Sequence, residues 1–353
     1  MKIETDILEL LPSDLFAAFR LPGAQAHTLI KEDLVKKSIG KHKEPKQGFL
    51  IAPYDKNGPW PRILIQPDYM GSGQRFSFRS NHVGPVNTVT QQVYTRQVED
   101  AVRAIRNGAM DKVVLSHVNQ VEIGPQNLFQ LFTLLKEAYP DAFVYIFNIP
   151  DKGCWIGASP EILLRKTENT IETVALAGTK QADEAGHNIL EWGEKEIEEQ
   201  AIIQRFIETI LMSNGLPFKK SKRETVRAGN VSHLKSNYSL ENLRIDVDRL
   251  AGLLHPGPAI CGFPQDAAFE YIKQTEVHDR KYYCGYLGPV NLDDTSLFIN
   301  LRCMEVFANY GGLYVGGGIT EDSEPKSEWE ETEMKARTLS SVIEKTYLWP
   351  HDF

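Results

Sequence analysis

The spacing of apolar residues changes along the chain, and each change marks an element. Over residues 95–107 apolar positions recur every three to four residues, which predicts a helix with one buried face. Residues 112–123 are Val-rich with polar alternation, a strand pattern. A second helix is expected over 127–139. Short strands are expected over 143–150, 154–158, 162–166 and 170–177, and strands joined by tight turns usually pair antiparallel. A long amphipathic helix is expected from about 189 to 212, ending at Ser213-Asn214-Gly215. Helices over 239–253 and 266–274 follow. Strands return at 283–292, 296–308 and 312–319. The last helix starts after Asp322-Ser323, takes Pro325 into its first turn, where a missing N–H is harmless, and runs to about 345.

The first ninety residues are less regular. Short apolar runs at 48–53 and 62–67 are broken by turn-like stretches at 55–61 and 71–74. Strands cluster and each cluster leads into a long helix, so the expected class is α+β with large antiparallel sheets, not a doubly wound parallel sheet. No flexible linker divides the chain. Residues 1–353 are therefore expected to form one composite domain, with 1–90 a variable first part and 91–350 the core.

Composition narrows the function. The chain has 353 residues, 42% hydrophobic, enough for a large core. Its net charge of -8 argues against nucleic acid or an anionic membrane as main partner, while leaving room for a local basic pocket. No stretch approaches the ~20 apolar residues of a membrane span. The opening MKIETDILELLPSD lacks the apolar core of an export signal. Cys154, Cys261, Cys284 and Cys303 show no CxxC spacing and are expected to be buried free thiols, as in a reducing cytoplasm. Nothing in the pattern suggests an exposed apolar seam, so a monomer is expected.

Candidate chemistry lies in a few places. Glu196 and Glu199 stand three apart on the long middle helix, and Glu328, Glu331 and Lys335 share one face of the last helix. Such faces are either solvated or able to clamp a hard cation such as Mg²⁺, one direct carboxylate per helix and the others through water. Gly316-Gly317-Gly318 precedes that last helix. It is either a flexible turn or backbone that faces an anion closely. Lys112 opens a strand, as a solvated flank or, if buried, as a base with a lowered pKa. Glu161 sits between two apolar strands, as an exposed turn carboxylate or an acid of raised pKa. Arg302 lies in an apolar run and needs a carboxylate, from the protein or a substrate. His255 is a packed loop histidine or part of a pocket wall.

Taken together, KVVLSH at 112–117, GASPEILL at 157–164, VALAGTK at 174–180, EKEIEEQ at 194–200, LHPGPAICG at 254–262, DRKYYCG at 279–285, NLR at 300–302 and GGGITEDSEPKSEWEETEMKA at 316–336 resemble the chorismate-utilising enzymes. These comprise the isochorismate, salicylate, anthranilate and aminodeoxychorismate synthases. The resemblance spans roughly 95–345. It implies a two-lobed α+β fold around a buried site and a Mg²⁺ cofactor. Glu199 and Glu331 would ligate it directly, with Glu196 and Glu328 nearby or through water. Gly178, Thr179 and Lys335 would lie at the ring carboxylate end of chorismate. Tyr283, Arg302 and backbone near Gly318 would hold the enolpyruvyl carboxylate, and His255 would line the pocket.

Lys112 matches the base of the water-using members, and Ala177 stands where the aminodeoxychorismate enzymes carry a lysine nucleophile. The resemblance therefore implies isochorismate synthesis: Lys112 activates water, and Glu161 protonates the departing hydroxyl. Salicylate synthesis, amination and a degenerate chorismate-binding subunit are the alternatives. Departures from the family pattern are His117 for arginine, Gln200 for histidine, Gly257 for threonine and Lys281 for glycine.

Overall fold

The computed structural model describes residues 7–34, 47–124, 127–181, 192–228, 231–241 and 245–346. Its helices are α1 (Gln91–Arg106), α2 (Leu128–Ala138), α3 (Glu194–Ser213), α4 (Val247–Leu254), α5 (Gln265–Thr275) and α6 (Pro325–Thr346). Among the described residues two nine-stranded sheets dominate. The first runs, in spatial order, through Gly262–Phe263, Lys112–Glu122, Tyr310–Ile319, Cys303–Val306, Gly153–Ser159, Phe143–Ile149, Leu15–Arg20, Thr28–Glu32 and Tyr69–Ser72. The second runs through Lys219–Lys220, Val231–Glu241, Thr170–Gln181, Ile162–Lys166, Thr295–Ile299, Tyr286–Val290, Gly48–Ala52 and Ile63–Ile65, with Glu224–Ala228 also paired to Val231–Glu241. Neighbours pair antiparallel in both. The α+β class with large antiparallel sheets is what the strand clustering predicts.

The period of two decides where each side chain goes. Phe143, Tyr145 and Phe147 point into the layer between the sheets, while Val144 and Ile146 point out toward α2 and α6. Phe143 of the first sheet stacks on Phe298 of the second at 4.2 Å between centroids. The outer layer packs Leu131, Phe132 and Leu135 of α2 with Leu339, Val342 and Ile343 of α6. The first ninety residues complete both sheets, giving Leu15–Arg20 to the first and Gly48–Ala52 to the second. Among the described residues no helix is long and apolar enough to cross a membrane.

Three expected elements differ. The helix expected over 239–253 is a strand up to Glu241, where Tyr238 and Leu240 alternate into the core, and α4 begins only at Val247, capped by Asp246. The long middle helix begins at Glu194; its expected start at 189 lies outside the described residues. The strand expected over 296–308 is two strands in different sheets, Thr295–Ile299 and Cys303–Val306. Likewise Gly153–Ser159 and Ile162–Lys166 do not pair with each other but leave one sheet for the other. The run over 296–308 reads as one strand because both of its half-strands are buried, whereas Ser159-Pro160-Glu161 marks the other break.

Candidate active site

These two crossings lie side by side. Gly153–Ser159 pairs with Cys303–Val306 in the first sheet, and Ile162–Lys166 pairs with Thr295–Ile299 in the second. The gap between sheets is stitched by backbone. Ala158 N–H donates to Arg302 O at 3.0 Å, and Ile299 N–H to Glu161 O at 2.9 Å. Ser159 Oγ donates to Ile299 O at 2.5 Å. The crossing residues are Glu161 on one segment and Arg302 on the other, and both side chains face one cavity of about 1040 Å³. Arg302 is not within a strand, as its apolar setting suggests. It takes φ 49, the left-handed region that a side chain adopts only when its surroundings demand it. Among the described residues no carboxylate pairs with its guanidinium.

Lys112 opens the strand Lys112–Glu122 and is buried, not a solvated flank. Its Nζ donates to Glu199 Oε1 of α3 at 2.5 Å. Gly318 explains how its stem fits: a Cβ there would stand 2.9 Å from Lys112 Cε. The glycine triplet is therefore neither a turn nor a loop. Gly316, Gly317 and Gly318 continue a regular strand opposite Ser116, Leu115 and Val114, and they clear room for side chains. Gly316 O accepts from Lys335 Nζ at 2.9 Å, and a Cβ on Gly317 would stand 3.2 Å from Glu328 Oε2.

Glu161 is enclosed by protein and open only to the cavity. Burial pushes its carboxyl up to about 7, although Lys112, Arg302 and Lys335 pull the other way. A group poised there can give up a proton at neutral pH. Glu199 goes the other way: burial raises it, but the Lys112 ammonium more than offsets that and holds it below the usual carboxylate range.

The four helix glutamates all line this cavity, two from α3 and two from α6. Each has a protein partner. Glu196 Oε2 accepts from Gly193 N–H at 2.9 Å and so caps its own helix. Glu328 Oε1 accepts from Ser323 Oγ at 2.6 Å, and burial raises its pKa. Glu331 pairs with Lys335 at 2.6 Å. Among the described residues no three acidic, histidine or cysteine side chains close on a single point. An all-carboxylate set on two walls of one cavity fits a hard divalent cation that takes few protein ligands and keeps its water.

Gly178 and Tyr283 also line the cavity. Gly178 takes φ +69 at a bulge in Thr170–Gln181, and Thr179 follows it opposite His233 in register; the Thr179 side chain is outside the described residues. His255 does not line the cavity. It is buried behind Cys284, which does, with Nε2 2.7 Å from the Cys284 carbonyl, and it packs edge-on against Tyr54 and Tyr286. Burial lowers it to about 4, so it is a neutral packing residue.

Two residues escape a reading of sequence alone. His233 lines the cavity with Nδ1 3.1 Å from Gly178 O; it falls on the half-exposed face of Val231–Glu241, opposite the buried Leu234 and Tyr238, so the alternation gives no hint of it. Asn300 is fully buried between the crossings, its Nδ2 donating to Tyr282 O at 2.8 Å while Tyr145 OH donates to its Oδ1. It holds the segment that carries Tyr283 against the crossing that carries Arg302.

The chain is similar to known proteins of one family. The family model described as chorismate binding enzyme matches residues 71–344. The isochorismate synthase EntC of Escherichia coli is 30% identical over 266 residues, which is 72% of this chain and 67% of EntC. The vibriobactin-specific isochorismate synthase of Vibrio cholerae is 26% identical over 310 residues, 82% of this chain and 78% of that protein. The isochorismate synthase MenF of Escherichia coli is 25% identical over 259 residues, 71% of this chain and 60% of MenF. A solved structure of MenF superimposes with a TM-score of 0.77 over 94% of this chain and 88% of that one, at 20% identity. The chain belongs to the family of chorismate binding enzymes.

Proposed function

We propose that this protein is an isochorismate synthase, converting chorismate to isochorismate with Mg²⁺ as cofactor. The observation that carries this reading is the pair Lys112 and Glu161. Lys112 lies in the first sheet and Glu161 on a crossing between the sheets, yet both face one cavity, an amine on one wall and a carboxyl that burial raises to about 7 on another.

In this reading Lys112 Nζ first gives up a proton and leaves Glu199, and the neutral amine then takes a proton from water as the oxygen bonds to ring C2. Both ring double bonds shift by one position. The C4–O bond breaks, and Glu161 gives its proton to the departing hydroxyl, which leaves as water. One water is consumed and one released, so the reaction is an isomerisation. Arg302 and Tyr283 hold the enolpyruvyl carboxylate, since Arg302 presents its fork to the cavity with no protein carboxylate to take it. Lys335 and Gly178 lie at the ring carboxylate end. When bound, Mg²⁺ would supply a fixed positive charge for that carboxylate, and Glu199, Glu331, Glu196 and Glu328 are the residues that would hold it. Orientation of a bound water converts a bimolecular attack into a unimolecular one.

Ala177 lines the cavity where an amination enzyme of the lysine-nucleophile type would need an amine, which favours water. We further infer a cytoplasmic monomer that binds chorismate and isochorismate, with neither nucleic acid nor membrane as partner; four buried free cysteines support a reducing compartment. Relatives bear names from menaquinone and siderophore synthesis, and the product here would feed one of these.

The test is product analysis by proton NMR with chorismate and Mg²⁺, without ammonia. A mixture of chorismate and isochorismate is expected. Salicylate with pyruvate would move the assignment to salicylate synthase. Conversion only on adding ammonia would overturn the role given to Lys112.

A further inference from the structure

The strand of Lys112 also buries Ser116 and His117. His117 is fully buried. Its ring stacks on Trp329 of α6, with centroids 4.6 Å apart at 15°, and meets Tyr94 of α1 at 4.8 Å. His117 Nε2 lies 2.8 Å from Thr332 Oγ1. That hydroxyl donates its one hydrogen to Trp329 O at 2.8 Å, so the ring is the donor and Nε2 carries the proton. In register His117 faces Val315, next to the glycine strand, and Gly317 lies against Glu328, Tyr94 and Thr332. One ring thus joins α1 and α6 to the strand of Lys112.

Trp329 and Thr332 alternate along α6 with Glu328 and Glu331. Each pair is three residues apart, so each subtends the same arc of the helix. Gripping one pair fixes the direction of the other. We propose that His117 is a positioning residue whose stack on Trp329 and hydrogen bond to Thr332 set the rotation of α6, and so the aim of Glu328 and Glu331 into the cavity. The proposal rests on the reading of those glutamates as the metal side of the site. A neutral ring suits the task, because it can stack and donate without leaving a buried charge unpaired. Burial keeps His117 neutral, lowering it to about 4.

The experiment is Mg²⁺ binding by isothermal titration calorimetry, with a melting curve for every variant. His117→Phe keeps the stack and loses the donor. Thr332→Val breaks the same bond from the other side. Groups behind a metal site typically cost roughly 10–100-fold in affinity when removed. Both variants are expected to weaken Mg²⁺ binding by about tenfold or more, and the double variant no further, because the bond can be broken only once. His117→Gln, which keeps a donor at similar reach, is expected to bind Mg²⁺ better than His117→Phe. Wild-type Mg²⁺ affinity in both single variants would overturn the proposal and leave the metal reading standing. Absence of binding by the wild type would remove the metal reading itself, and this proposal with it. If His117→Phe does not fold, Thr332→Val decides.

Discussion

At the scale of residues, the proposed proton transfer rests on Glu161. Its raised pKa means that the acid form is present below about pH 7 and lost as pH rises through that value. Turnover is therefore expected to fall on the alkaline side with an apparent pKa near 7. Glu161→Gln is expected to cost about 10²–10⁴-fold in kcat, the usual worth of a general acid, and to flatten that limb. A variant with near-normal kcat and an unchanged profile would assign the proton to another group. Lys112 and Glu161 are legible in the sequence because each is a charged residue in an apolar setting, a conflict that usually marks function. Arg302 is legible as a residue but not as a geometry. Its φ of 49 follows from the crossing it makes between sheets, and no local pattern encodes that crossing. His233 is illegible for the opposite reason: it shares the polar face of its strand with Lys235, Asn237 and Ser239, and looks like any other outward residue.

At the scale of elements, α3 and the bulge at Gly178 brace each other. A Cβ at Gly178 would stand 3.0 Å from Glu196 Cβ and 3.2 Å from Glu196 O, on backbone already at φ +69. Gly178→Ala therefore strains the strand by about 1–2 kcal/mol and pushes the helix that carries Glu196 and Glu199. A lower melting temperature and a higher Mg²⁺ requirement are expected together, read by thermal melts and by activity against Mg²⁺ concentration. If neither moves, the bulge does not set the helix. Helix faces, strand alternation and the start of α6 at Pro325 are readable in the sequence, since each depends on residues a few positions apart. The split of 296–308 and the strand that runs on to Glu241 are not. Burial on both sides of a break leaves the apolar pattern intact, and a short buried run fits helix and strand alike.

For the whole molecule, stability should depend steeply on acid. Burial lowers His27, His117 and His255 each to about 4. In the unfolded chain they would bind protons near the ordinary value of about 6.5. The unfolded state thus takes up more protons in that window, and stability present above about pH 6.5 is lost as pH falls toward 4. Each histidine contributes at most about 3 kcal/mol to that loss. Glu276, raised by burial but held low overall by the Arg280 guanidinium beside it, adds a loss of the same sign at lower pH. Urea midpoints measured from pH 7 down to pH 4 should fall throughout. A flat profile to pH 4.5 would mean that these rings reach water more readily than their packing implies. The antiparallel α+β class and the grouping of the site could be inferred from sequence, but the depth at which these histidines lie could not.

The paired crossings also bear on how competence is acquired. Glu161 and Arg302 belong to neither sheet; each sits on a link that exists only when both sheets are in place. The first sheet draws strands from residue 15 to residue 319, so neither sheet can be completed from half of the chain. A nascent chain or a fragment that formed the first sheet alone would hold Lys112 without the proposed acid, and one that formed the second alone would lack Lys112. In the proposed mechanism, base and acid face each other only once both sheets are complete.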